Sequence, residues 1–374
     1  MTPQQHFLNL VETQLNRVET IKENHEAIDY KNKAQIIIGL CAGDGIGPVI
    51  MDAAVSVLRV LLKDEIADGK IILKQIEGLT IENRLEQNTA IPPDVLEEIK
   101  SCDVLLKGPT TTPSKGQQNI ESANVALRRE LDLYANVRPV VLKEENIDWI
   151  FFRENTEGAY VLGSQGIDID EDLAFDFRVI TTPGVERIAR AAFEYAHNNN
   201  KKRVSIVTKA NILKKTDGKF LDVCYRIAKE YPHIQTDDWF IDIMTAKLID
   251  TTDRHEFEVF ILPNLYGDII TDEAAQIQGG VGTAGSANIG SRYAMFEAIH
   301  GSAPRLVETG CAGYANPSSL IKAAEIMLRH IGYVDKADKL IAVLDKAQTE
   351  VKVTGSKNDA SCVDITKYII ENIR

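Results

Sequence analysis

The 374-residue chain is poor in aromatic residues, at 6% with two tryptophans, and its five cysteines include no C-x-x-C pair. Cys41, Cys102, Cys224, Cys311 and Cys362 are odd in number and scattered, which excludes a disulfide framework and fits a reducing, cytoplasmic setting. Each reads as a small core residue rather than a nucleophile. No apolar run approaches a membrane span; the longest lies around Ile36 to Ala42. The N-terminus lacks a basic segment followed by an apolar one, so no secretory signal is expected, and its acids argue against a transit peptide. Positive charge is also short: Lys plus Arg is 42 against 55 for Asp plus Glu, a net charge of −13. Nucleic acid and anionic membranes are thereby excluded as main partners, because binding to either rests on basic surface. Small anionic substrates are not, since a few placed arginines can hold one.

The length suggests about two domains. Residues Phe7, Leu10, Val11, Gln14, Val18 and Ile21 recur at helical spacing, so residues 1–33 read as a helical extension that ends in a polar link over 22–33. Apolar runs at IIIGL, IILKQI, DVLLKG, DWIFF, RVSIV and FEVFILP then alternate with helical patterns such as GPVIMDAAVSVLRVLL, PPDVLEEIK and ERIARAAFEYAHNN. That alternation predicts an α/β protein with a largely parallel sheet. From Ser318 onward the chain reads as helices.

Four stretches carry chemistry or a structural alternative to it. AGDGIGP, with Gly43, Gly45 and Gly47, lacks the spacing of a dinucleotide fingerprint and fits a tight strand-to-helix turn with Pro48 at the helix start. Ser122, Asn124 and Arg128 stand near a helix start and suit a carboxylate ligand, with Arg138 and Arg153 as further anion-binding groups. A helix cap beside solvated arginines is the alternative. Asp268 and Asp272 are four apart and share a helix face, where hard oxygen ligands suit Mg²⁺ or Mn²⁺. A solvated acidic face is the alternative there. Tyr160 and Lys209 form either an acid–base pair or two structural side chains.

GDGIGP, LLKGPTTTP, SANVALRRELDLYANVRP, FFRENTEGAY, TKANILKKTDG, PNLYGDIITDEAA, GSANIG, FEAIHGSAP and YANP, in this order, resemble the isocitrate/isopropylmalate dehydrogenase family from about Ile36 to the C-terminus. The resemblance implies an α/β fold that is not a Rossmann fold. Its large, cofactor-side domain would span 34–133 and 279–374, and a small dimerisation and metal/substrate domain 134–278. Homodimers would share residues across active sites lying in the interdomain cleft.

By the same resemblance Arg128, Arg138 and Arg153 would hold isocitrate carboxylates, with Ser122 and Asn124 meeting the γ-carboxylate. Asp242, Asp268 and Asp272 would hold the metal, with Asp242 from the partner subunit, while Tyr160 and Lys209 would be catalytic. Thr112, Asn124, Glu297, His300, Gly301, Ala303, Arg305, Leu306 and Asn316 would meet the nucleotide. After HGSAP, NADP-using relatives carry Lys–Tyr and NAD-using relatives Asp–Ile; Arg305–Leu306 departs from both. Leu306, together with RENTEG and ANVRP, points to NAD, whereas an arginine suits the 2′-phosphate of NADP. The expected reaction is NAD-linked oxidative decarboxylation of isocitrate. The alternatives are NADP use, action on homoisocitrate, isopropylmalate or tartrate, or a non-catalytic regulatory subunit.

Overall fold

The computed structural model describes residues 2–23, 28–112, 120–163, 165–169, 171–280, 282 and 284–373. Part of the polar link (24–27) and the motif edge Pro113 lie outside them. The chain divides into an outer unit, Ala27–Leu133 with Gly279–Arg374, and a central unit, Met1–Glu26 with Tyr134–Gln278.

In the outer unit the strand order is β2 (Ile71–Ile76), β1 (Ile36–Cys41), β3 (Val104–Lys107), β12 (Ala294–Ala298), β11 (Gly285–Ile289). All neighbouring pairs are parallel except β11–β12, a hairpin. Helices α2 (Gly47–Leu61), α12 (Ser318–His330), α13 (Val334–Glu350) and α14 (Cys362–Ile373) pack together, and α12 lies along β11 and β12. The shorter helices are α3 (Lys63–Ala67), α4 (Ile81–Glu86), α5 (Pro93–Lys100), α6 (Ala123–Glu130) and α11 (Pro304–Glu308). A core that includes Cys41, Ile76, Val95, Leu105, Leu127 and Met295 is removed from water, the main favourable term in folding. Cys102, Cys224 and Cys362 are buried as well, whereas Cys311 is partly exposed.

The central unit has the order β4 (Ala135–Leu142), β5 (Ile147–Glu154), β10 (Val259–Leu262), β8 (Arg203–Thr208), β9 (Gln235–Phe240). Here β4–β5 is the antiparallel hairpin and the rest is parallel. Helices α7 (Thr182–Asn198), α8 (Thr216–Ala228), α9 (Ile241–Ile249) and α10 (Asn264–Ile277) cover this sheet, and β6 (Ile167–Ile169) with β7 (Leu173–Phe175) forms a small separate hairpin. Trp149, Phe151, Phe257 and Phe260 fill the core, with the Phe151 and Phe260 rings stacked 4.4 Å apart. The few aromatics of the chain are concentrated here.

The alternating architecture is as the sequence predicted, but β4, β9, β11 and β12 were not read from it. ANVRPVVL and QTDDWF mix polar residues into the run, and GSANI is short and rich in small residues. Helix α1 (Pro3–Lys22) starts at Thr2, whose hydroxyl accepts from the Gln5 amide, with Pro3 in the first turn. It contacts α7 of the central unit, and Leu10 is its buried residue. Phe7 and Val11, counted in its apolar face, are exposed.

Candidate active site

The central unit gathers Arg138, Arg153, Tyr160, Asp268 and Asp272. Asn136 on β4 lies opposite Arg153 on β5, and Arg138 opposite Phe151. Cross-strand partners and residues two apart share a sheet face, so both arginines point to the side that α10 covers. On α10, Asn264, Asp268 and Asp272 recur every four residues and form one stripe. Gly267 lets the helix approach: a Cβ there would lie 2.5 Å from Arg153 Cγ. Arg153, 1% exposed, donates from Nε (2.9 Å) and Nη2 (2.6 Å) to Asn264 Oδ1, and from Nη1 to Asp268 Oδ1. Tyr160 Oη donates to Asp268 Oδ2 at 2.8 Å, and the Arg153 guanidinium stands 5.5 Å from the Tyr160 ring. Arg138 Nη1 donates to Thr271 Oγ1 at 2.5 Å and to Asp272 Oδ1 at 3.0 Å.

The repulsion expected between Asp268 and Asp272 is thus offset by two buried arginines. Both acids remain open to solvent, Asp268 by 39% and Asp272 by 62%. Exposed hard oxygens beside a phenol and two guanidinium groups suit a divalent cation together with a carboxylate substrate.

Lys209 and Asp242 form a second pair. Lys209 follows β8 and its backbone N–H donates to buried Asp217 (2.7 Å). Its ammonium donates to Asp242 Oδ1 at 2.5 Å, and that hydrogen bond holds the Asp242 carboxyl below the usual carboxylate range. Among the described residues no three His, Cys, Asp or Glu side chains form a metal-binding group, so Asp242 is not beside Asp268 and Asp272 within the chain.

The outer unit orders the remaining groups. Ser122 is the residue before α6, yet its side chain makes no cap hydrogen bond, so the plain capping alternative does not hold. Asn124 Oδ1 accepts from Thr110 Oγ1 (3.0 Å), and Arg128 Nη2 donates to Glu297 Oε1 (3.2 Å). Glu297 is buried, and each of its oxygens has a partner. Oε1 also accepts from Asn288 (2.8 Å), and Oε2 from Lys107 (3.3 Å). Burial raises its pKa, but the charges of Lys107 and Arg128 outweigh that and hold it at about 2. Glu297 therefore anchors Arg128 and Lys107 within the outer unit.

The glycine-rich turn is a backbone crossing. Gly43 and Gly45 have φ of +71° and +62°, and a Cβ on either, or on Gly47, would lie 2.1 Å from a carbonyl oxygen of Pro109, Ser302 or Ala42. Buried Asp44 ties the crossing by accepting from the amides of Ile81 (2.8 Å) and Thr111 (2.6 Å). Thr111 Oγ1 in turn meets Ser302 Oγ at 2.8 Å, which fixes the start of the loop running through Gly301 and Ala303. Thr112 and Gly301 are exposed, and Ala303 has a left-handed φ of +48° before α11. His300 Nδ1 lies 3.0 Å from Gly301 O, and Asn316 holds Ser318 N and Val353 O. Arg305 is exposed without an ion-pair partner among the described residues, and Leu306 packs at Gly355.

Sequence reasoning missed Asn264, Lys107, Asn288 and Asp44. Asn264 was findable, four residues before Asp268 on the same helix face. The others act through tertiary contacts with no local signal.

Residues 37–370 match the isocitrate/isopropylmalate dehydrogenase family. The chain is 42% identical over 309 residues to the isocitrate dehydrogenase (NADP) of Rickettsia prowazekii, covering 80% of this chain. It spans 60% of that relative's length. It is also 37% identical over 350 residues to the homoisocitrate dehydrogenase of Methanocaldococcus jannaschii, covering 89% of this chain and 96% of that one. Among solved structures, isocitrate dehydrogenase from Methylococcus capsulatus superposes with a TM-score of 0.79 at 37% identity, over 91% of this chain and all of that one. Fold, ordered motifs and overall likeness agree: the chain belongs to the isocitrate/isopropylmalate dehydrogenase family.

Proposed function

We propose that the protein oxidises and decarboxylates isocitrate to 2-oxoglutarate, passing the C2 hydride to NAD. The observation that carries this is the cluster of Tyr160, Arg138 and Arg153 around the exposed Asp268–Asp272 pair. Arg138 and Arg153 supply fixed positive charge for substrate carboxylates, and Arg128, held by Glu297, supplies a third. The uncommitted Ser122 hydroxyl and the Asn124 amide favour a substrate with a γ-carboxylate over one with an apolar group there. A polar pocket left unpaired by an apolar analogue discriminates strongly, by as much as ~10⁴-fold.

Asp268, Asp272 and a partner subunit's copy of the Asp242 carboxylate have the chemistry to hold Mg²⁺ or Mn²⁺. Such a cation neutralises charge at the C2 oxygen and on the enolate left after CO₂ departs. Lys209, borrowed with its Asp242 partner from a second copy of the chain, helps remove the C2 hydroxyl proton as hydride leaves, acting as the neutral amine after its ammonium proton has passed to solvent. Tyr160 Oη donates a proton to the enolate carbon, and its contact with Asp268 orients the phenol for that transfer.

NAD is favoured by Leu306, which offers no hydrogen bond, and by the absence of the Lys–Tyr pair. NADP is the second reading, favoured by the exposed Arg305 and by the names of the Rickettsia relatives. Initial rates on isocitrate, homoisocitrate, isopropylmalate and tartrate, each with NAD and NADP in the presence of Mg²⁺, test both points. Isocitrate with NAD is expected to be fastest. Turnover of isopropylmalate without isocitrate would sink the Ser122 argument, and a strong NADP preference would sink the nucleotide assignment.

A further inference from the structure

Helix α1 lies outside the family match, which begins at residue 37, yet it reaches a pair of buried carboxylates behind the active-site cluster. Glu154 ends β5 directly after Arg153, and Glu157 follows in the turn that leads to Tyr160; both are fully buried. Glu154 accepts from the Thr156 amide (2.9 Å), the Thr156 hydroxyl (2.7 Å) and the Glu157 amide (2.6 Å). Glu157 accepts from the Thr181 amide (2.9 Å) and hydroxyl at the start of α7, where Gly184 leaves room: a Cβ there would lie 2.2 Å from Glu157 Oε1. Five donors thus converge on two carboxylates in a closed space.

Two arginines face that pair. Arg187 of α7 donates to Thr156 Oγ1 (2.9 Å) and stacks 4.5 Å from the Tyr134 ring. Arg17 of α1 donates from Nη1 to Glu157 Oε1 and from Nη2 to Thr156 Oγ1, both at 3.0 Å. The turn is then linked to the chemistry through one side chain. The Glu157 carbonyl accepts from Asn264 Nδ2 (3.1 Å), and Asn264 Oδ1 holds Arg153, which with Tyr160 holds Asp268.

We propose that Arg17 is a positioning residue, by which the N-terminal helix fixes the 154–160 turn and so sets Arg153 and Tyr160 for catalysis. The proposal rests on the reaction assigned above. Burial, followed by the Glu157 charge, pushes the Glu154 carboxyl up to about 7, against the lowering effects of Arg187 and Thr156. The pair is therefore close to taking up a proton. Without Arg17, one guanidinium faces two buried carboxylates, one of them binds a proton, and its donors lose an ionised acceptor.

The test compares the full chain with R17M, R17M/E157Q and K22M by melting temperature, by kcat and KM for isocitrate from pH 6 to 9, and by amide hydrogen exchange. K22M is the control on the same helix, since among the described residues Lys22 pairs only with Glu19. R17M is expected to lower kcat at pH 7 by about tenfold or more, as for a misplaced catalytic group. Recovery towards pH 9 and faster exchange over 154–160 are expected with it, and K22M is expected to match the parent. Should R17M fail to fold, R17M/E157Q removes the uncompensated carboxylate, and its kcat is expected to stay several-fold low because Thr156 has lost its Arg17 donor. Parental kcat in a folded R17M or R17M/E157Q overturns the proposal, whatever the exchange rates. If the parent itself leaves isocitrate untouched, the reaction assignment fails, and unchanged exchange over 154–160 in R17M separately overturns the positioning role.

Discussion

Glu297→Gln separates two roles for one residue. The resemblance implies a nucleotide contact, whereas the geometry makes Glu297 the anion that holds Lys107 and Arg128 inside the outer unit. The carboxyl is held at about 2 against an ordinary 4.5, so the fold prefers its charged form by about 2.5 pKa units. At about 1.4 kcal/mol per unit that is roughly 3 kcal/mol. Removing one partner of a buried ion pair costs about 3–5 kcal/mol in other proteins, which agrees.

Because the folded pKa is depressed, this stabilisation is fully present above pH 4.5 and is lost as pH falls through the window from 4.5 to about 2. Urea denaturation followed by circular dichroism should therefore show Glu297→Gln less stable at pH 7 by about 3 kcal/mol. The gap should narrow below pH 4.5. In kinetics, KM for isocitrate should rise more than KM for the nucleotide, because Arg128 loses its anchor. Unchanged stability with a raised KM for the nucleotide alone would refute the reasoning and restore the nucleotide role.

Two further outcomes follow from the geometry. Tyr160→Phe keeps the ring beside Arg153 but deletes the proton donor, so kcat should fall by about 10²- to 10⁴-fold with little change in KM; a loss within twofold removes Tyr160 from the chemistry. Gly47→Ala sets a Cβ 2.1 Å from the Ala42 carbonyl oxygen, so the turn must shift and the melting temperature should drop sharply, which a parental melting curve would contradict.

Most of the architecture was legible because buried parallel strands such as Ile36–Cys41 and Val259–Leu262 are continuous apolar runs. Of the hairpin strands, β4, β11 and β12 were not, whereas β5 was. Ala135–Leu142 carries Asn136 and Arg138 on the face that meets α10, so its polar residues broke the pattern because they belong to the site. The four-residue spacing of Asp268 and Asp272 was readable, and so was Asn264 in principle. That two arginines neutralise those acids was not, since Arg138 and Arg153 reach them from a hairpin more than a hundred residues away in sequence. AGDGIGP was readable as a turn; that Gly43 and Gly45 avoid the carbonyl oxygens of Pro109 and Ser302 is a tertiary fact. Arg17 illustrates the limit most plainly. In sequence it is one of two Lys or Arg residues on an amphipathic helix, and its partner Glu157 lies 140 residues away.

The central claim is oxidative decarboxylation of isocitrate by this chain. Its most direct test is the stoichiometry of a single reaction containing the purified protein, isocitrate, NAD and Mg²⁺. Equal amounts of reduced nucleotide, CO₂ and 2-oxoglutarate are predicted, whereas reduced nucleotide without 2-oxoglutarate, or no turnover of isocitrate, would contradict the account.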